Sequence, residues 1–135
     1  MSLYEEDIRA YNEDLLNHIY VNNEKGVFSL NEILLTVKKT LNDLQTSNII
    51  KHLFIYGSYI RNEANKDSDI DICLIYNSSK ISELQINLYV DNICDSLLDK
   101  YGIIINILCF KEEYYLKYKK SSPLFLNILK EGMAC

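Results

Sequence analysis

The stretch Tyr56-Gly57-Ser58-Tyr59-Ile60-Arg61-Asn62-Glu63-Ala64-Asn65-Lys66-Asp67-Ser68-Asp69-Ile70-Asp71-Ile72-Cys73-Leu74-Ile75 decides the reading of this chain. It joins a Gly-Ser turn, which ends one apolar run, to two carboxylates spaced i, i+2 at the head of another. Side chains alternate faces along a strand, so Asp69 and Asp71 project to one side while Ile70, Ile72 and Leu74 project to the other. Two carboxylates on one face repel each other and require a cation. Mg²⁺ suits them, because this hard ion is held by one or two carboxylates together with waters and substrate phosphate oxygens. Two such ions could clamp the attacking and leaving oxygens of an in-line displacement.

Upstream, Ile49 to Tyr56 is rich in β-forming residues and stops at Gly57. A glycine there lets the backbone turn tightly and approach a ligand, and the residues after it are expected to open a helix whose free N–H groups attract phosphate. Ser58 adds a hydroxyl donor, and Arg61, one helical turn on, carries a guanidinium able to reach a phosphate oxygen. Two other readings fail. Asp67, Asp69 and Asp71 match the first acidic positions of a calcium loop, but Ile72 stands where the turn glycine belongs and Ser78 where the bidentate glutamate belongs. No Gly-Lys-Ser/Thr follows Gly57, which removes a Walker loop.

Taken together, Gly57-Ser58, ten intervening residues and Asp69-Ile70-Asp71 resemble the signature of the nucleotidyltransferase superfamily that includes DNA polymerase beta. Arg61, Glu63, Ala64, Ser68 and Asp69 also fall where its small bacterial members carry them. From Ile33 to Met133 the chain is similar to these minimal nucleotidyltransferase domains. The resemblance implies an α/β (α+β) fold, a small mixed β-sheet covered by helices. It implies that Gly57 and Ser58 hold the β and γ phosphates of a nucleoside triphosphate, with Arg61 supporting them, and that Asp69 and Asp71 bind one or two Mg²⁺ ions. A third carboxylate on a later strand, which helps activate the acceptor hydroxyl, is implied at Asn106, within Gly102 to Phe110. There the chain departs from the family: an amide can coordinate a metal through its oxygen but cannot act as a base. Ile60 and Asn62 replace a small residue and a glycine, and Asn62 tolerates left-handed geometry better than most residues.

The remaining sequence bounds these expectations. At 135 residues, 48% hydrophobic and 24% charged, the chain has material for one compact domain. It divides into an N-terminal helical extension, 1–28, and a nucleotidyltransferase domain, 29–135. A formal charge of −5 demotes nucleic acid, whose sequence-independent binding relies on basic surface. No apolar run approaches the roughly 20 residues of a membrane span, and the acidic start does not resemble a signal peptide, so a cytoplasmic location is expected. Cys73, Cys94, Cys109 and Cys135 lack Cys-x-x-Cys spacing and read as free thiols, and His18 and His52 have no ligand partner at a useful spacing, against zinc.

Ile8, Tyr11, Leu15, Leu16 and Ile19 recur at helical spacing and predict a first helix over Glu5 to Tyr20, ended by a turn at Asn22 to Gly26. Ser29 with Glu32 predicts the start of a second, with an apolar stripe from Leu30 to Leu44. A third runs from Ser82 to about Lys100, closed near Gly102. Tyr114, Tyr115 and Tyr118 interleave with Lys111, Lys117, Lys119 and Lys120; this pattern suits a base-binding surface, but reads first as an amphipathic helix. Ser122-Pro123 opens a last short helix.

The functional expectation is transfer of a nucleoside monophosphate, AMP from ATP, to an acceptor hydroxyl. The resemblance suggests a small helical partner protein as acceptor, since such domains occur as antitoxins in toxin–antitoxin modules. The alternative is a catalytically impaired nucleotide-binding or antitoxin module, favoured by Asn106. A glycosyltransferase using Asp-x-Asp is third, because no nucleotide-binding half-domain precedes the motif. Homo-oligomerisation is left open by the sequence.

Overall fold

The computed structural model describes residues 8–135. Its centre is a four-stranded mixed sheet of β3 (Ile50–Tyr56), β4 (Ile70–Tyr76), β5 (Ile105–Lys111) and β6 (Met133–Ala134), in the order β5-β4-β3-β6. β3 runs antiparallel to β4 and to β6, while β4 and β5 are parallel. A parallel pair needs a long crossover. Here it is the longest helix, α4 (Glu83–Tyr101), opened by a capping box in which Ser82 and Gln85 satisfy each other's backbone N–H groups. Gly102 closes it at φ 67°, as its position predicts.

The two faces of the sheet carry different cores. Leu53, Ile55, Ile70, Ile72, Leu74 and Ile105 face α4 and α2 (Leu30–Thr40), burying the stripe Leu30, Ile33, Leu34 and Val37. Ser29 caps α2, its Oγ accepting from the Glu32 N–H at 3.0 Å. The stripe ends sooner than its spacing predicts: the helix stops at Leu41, and a separate turn of helix, α3 (Asn42–Thr46), carries Leu44. On the other face Phe54, Cys73 and Ile75 meet α5 (Glu112–Tyr118) and α6 (Pro123–Glu131) through Tyr115, Phe125 and Ile128. The tyrosine–lysine segment is thus a helix with Tyr115 buried and Tyr114 exposed. Ser122 stands at the start of α6 without a side-chain capping bond, and Pro123 takes the first turn.

The N-terminal segment differs from the helical extension expected over 1–28. Residues 1–7, which include the start of the helix expected over Glu5 to Tyr20, lie outside the described residues. Of the rest, only α1 (Glu13–Asn17) is helical, capped by Asn12, and β1 (Tyr20–Asn23) pairs antiparallel with β2 (Gly26–Ser29). The apolar spacing misled because its residues serve two places: Ile8 joins the α6 side of the sheet, whereas Leu16 and Ile19 join the α2 side. Tyr20-Val21 and Val27-Phe28, flanking the expected turn, are β-formers and close it into a hairpin.

All four cysteines are free. Burial pushes the Cys73 thiol up to about 12, so it is an inert core group. Among the described residues no helix is long and apolar enough to cross a membrane.

Candidate functional site

The site lies where β3 ends and β4 and β5 begin. Gly57 follows β3 with φ +90°, and a side chain there would overlap Asp71 Oδ2 and come within 3.2 Å of its Cγ. Glycine is therefore required twice, by the left-handed backbone and by the carboxylate packed against it. The register puts Tyr56 opposite Asp71 on one side, and Asp71 opposite Asn106 on the other.

Beyond Gly57 the chain forms a compact turn and not the helix expected from the sequence. The Arg61 N–H donates to the Gly57 carbonyl at 3.1 Å and the Glu63 N–H to the Ser58 carbonyl at 2.9 Å. Asn62 then takes a left-handed φ of 60°, which ends the helical path, and shows why an asparagine can stand where the family has glycine. Tyr59 and Ile60 are buried and anchor the turn. A second turn, in which Ser68 Oγ accepts from the Asn65 N–H, delivers Asp69 to the head of β4.

Asp69, Asp71 and Asn106 converge. Asn106 Nδ2 donates to Asp69 Oδ2 at 3.2 Å and lies 3.5 Å from Asp71 Oδ1. The Asp71 carboxyl is raised above its ordinary value, by burial first; the Asn106 hydrogen bond and the Arg61 charge oppose this, while the Asp69 and Glu131 charges add to it. Tyr56 is held protonated well above the usual phenol range by burial and by the Asp71 charge.

Arg61 lies at the same mouth but is already engaged. Its Nε donates to Glu63 at 3.0 Å, and its Nη1 donates to both carboxylate oxygens of Glu131 at 3.0 and 3.1 Å. Glu131 and Tyr56 are the residues that sequence reasoning passed over. Tyr56 was legible as the strand end beside the glycine. Glu131 lies seventy positions from Arg61, and no local pattern marks it.

Among the described residues no three His, Cys, Asp or Glu gather to hold a metal. The donor set is two carboxylates and an amide whose nitrogen rests between them, where a cation would neutralise both. Turned about its last torsion, the amide offers oxygen. An all-oxygen set of this kind fits Mg²⁺.

Residues 36–131 match the nucleotidyltransferase domain family, and the chain belongs to it. A relative from Methanocaldococcus jannaschii, named "Putative protein adenylyltransferase MJ0604", is 33% identical over 98 residues, covering 71% of this chain and 90% of the relative. Among solved structures, a toxin–antitoxin with AMP-PNP is similar at 16% identity and TM-score 0.47, covering 74% of this chain and 69% of the other. The toxin–antitoxin MntA-HpeT is similar at 14% identity, the same coverage and the same TM-score.

Proposed function

We propose that this nucleotidyltransferase transfers AMP from ATP to a hydroxyl of a partner protein and releases pyrophosphate. The observation that carries the reading is the convergence of Asp69, Asp71 and Asn106 beside Gly57, whose missing side chain makes room for the Asp71 carboxylate. A protein acceptor is supported by the name of the relative, which this chain matches over 90% of that relative's length.

In the reaction the acceptor oxygen attacks the α-phosphorus as the bond from that phosphorus to the β-bridging oxygen breaks. Pyrophosphate carries away the bond's electron pair, and the hydroxyl proton is lost to solvent. The Gly57–Ser58 turn would receive the triphosphate, with Ser58 offering a hydroxyl and an N–H and Arg61 its guanidinium. Asp69 and Asp71 would hold Mg²⁺, with Asn106 as a neutral oxygen donor; bound there, the ion supplies positive charge to the phosphates. Asn106 does not take the proton, so the rate depends on positioning and charge neutralisation.

The test is calorimetric titration of ATP with Mg²⁺ into the protein and into Asp69→Asn/Asp71→Asn. It is followed by incubation of both with cell extract and ATP labelled at the α-phosphate. Metal-dependent binding lost in the double variant, with label appearing on a protein, supports the transfer. Binding without labelling, unrestored by Asn106→Asp, favours the nucleotide-binding module that acts through a partner. That second reading draws on the amide lying between both acids. An absence of ATP binding refutes both.

A further inference from the structure

Arg61 is held by two carboxylates, and its hold on Glu131 joins residues seventy positions apart in the chain. Glu131 is the last residue of α6, and it is fixed from both sides. Phe125 and Ile128 bury that helix against the sheet, and two residues later β6 hydrogen-bonds with β3, Ile55 opposite Met133, immediately before Tyr56 and Gly57. The Glu131 side chain is only 20% exposed, against 65% for Glu63, so it is the stronger tether for the guanidinium. Its charge reaches Asp71 and Tyr56 as well, which puts the carboxylate at the rim of the same site.

Without Glu131, Arg61 would keep only its bond to Glu63, whose side chain is 65% exposed, and its guanidinium would be free to swing toward the Asp69–Asp71 pair. An arginine collapsed onto Asp71 would stand where Mg²⁺ is required. We propose that Glu131 is a positioning residue of the nucleotide site. It holds Arg61 beside the Gly57–Ser58 turn and off the Asp69–Asp71 pair, so that Nη2, which bonds none of the described residues, meets the phosphate oxygens of the triphosphate. The inference rests on the nucleotide reading above and adds to it a residue from the far end of the chain.

The sign of the effect makes the test sharp. Removing a negative charge near a polyanion's site should by simple electrostatics tighten binding; a loss at an unchanged melting temperature points to misplacement of Arg61. Glu131→Gln is nearly isosteric, and its melting temperature is measured beside the wild type. With Mg²⁺ present, it is expected to weaken both ATP and inorganic tripolyphosphate by about 5- to 20-fold, with KM for ATP rising more than kcat falls. Glu131→Asp, which keeps the charge, should lie between the two. In an Arg61→Ala background Glu131→Gln should change binding by less than about 2-fold, because its partner is gone. Unchanged or tighter binding by Glu131→Gln, or an equal loss in the Arg61→Ala background, overturns the inference while the nucleotide assignment stands. Failure of the wild type to bind either ATP or tripolyphosphate overturns both.

Discussion

Gly57→Ala should separate the cost of folding from the cost to chemistry. The backbone at Gly57 has φ +90°, a region that costs an L-residue about 1–2 kcal/mol. The added methyl would also overlap Asp71 Oδ2, so the carboxylate, whose other oxygen faces the Asn106 amide at 3.5 Å, would have to move. The combined destabilisation is expected at about 1–3 kcal/mol, read from urea unfolding. Turnover, read from pyrophosphate release, should fall far more, by about 10²-fold, because displacing a reacting group by an ångström has that effect. A double-mutant cycle isolates the overlap: in an Asp71→Ala background, Gly57→Ala should cost only the backbone term. Gly57→Ala with near-normal turnover would refute the argument, as would a stability loss equally large with and without the Asp71 carboxylate.

Asp71 gives a pH signature. Its folded value is raised, chiefly by burial, so the folded protein holds that proton more tightly than the unfolded chain does. Stability should therefore fall as pH rises from the ordinary carboxylate range through the raised value, and stay lowered above it. Unfolding of the metal-free protein and of Asp71→Asn across that window should show the wild type losing ground to the variant as pH increases. Asn106→Asp should raise the Mg²⁺-supported rate by about 10- to 10²-fold in a pyrophosphate assay by adding a base and a charge. The same change should lower the melting temperature of the metal-free protein at neutral pH. Ser82→Ala, which removes half of the α4 capping box, should cost about 1 kcal/mol in urea unfolding and leave ATP binding unchanged.

What was legible in the sequence was local. The strand–turn–strand around Gly57 and Asp71 carries its own chemistry: β-formers, a glycine, then acids at the spacing of one strand face. Ser29, Ser82 and Gly102 mark helix ends because capping depends on residues within one turn. What escaped depends on distant partners. β6 is two residues long and exists because β3 offers it an edge; Met133 and Ala134 have no pattern that announces a strand. The helix expected after Ser58 is cut short by the left-handed Asn62, whose deviation from the family was visible though its consequence was not. Arg61 was legible as a cation beside the motif, but its grip on Glu131 needs the last helix to close over the sheet.

The position of Asn106 is itself a product of topology. The parallel register of β4 and β5, returned by α4, sets residue 106 opposite residue 71 through backbone hydrogen bonds alone. Any side chain at 106 would therefore stand beside the acid pair, and the choice of asparagine is chemical, not architectural. In the metal-free protein that choice has a benefit: a neutral amide donating toward both carboxylates relieves a repulsion that a third carboxylate would deepen. Were Mg²⁺ to bind as proposed, the benefit would reverse, since the ion needs anions more than donors. On the proposed reading, the site would be better prepared to wait without metal than the family pattern, and less able to remove the acceptor's proton once loaded. An acceptor whose hydroxyl is delivered already oriented by a protein surface would suffer least from that loss, because orientation can supply what the missing base does not.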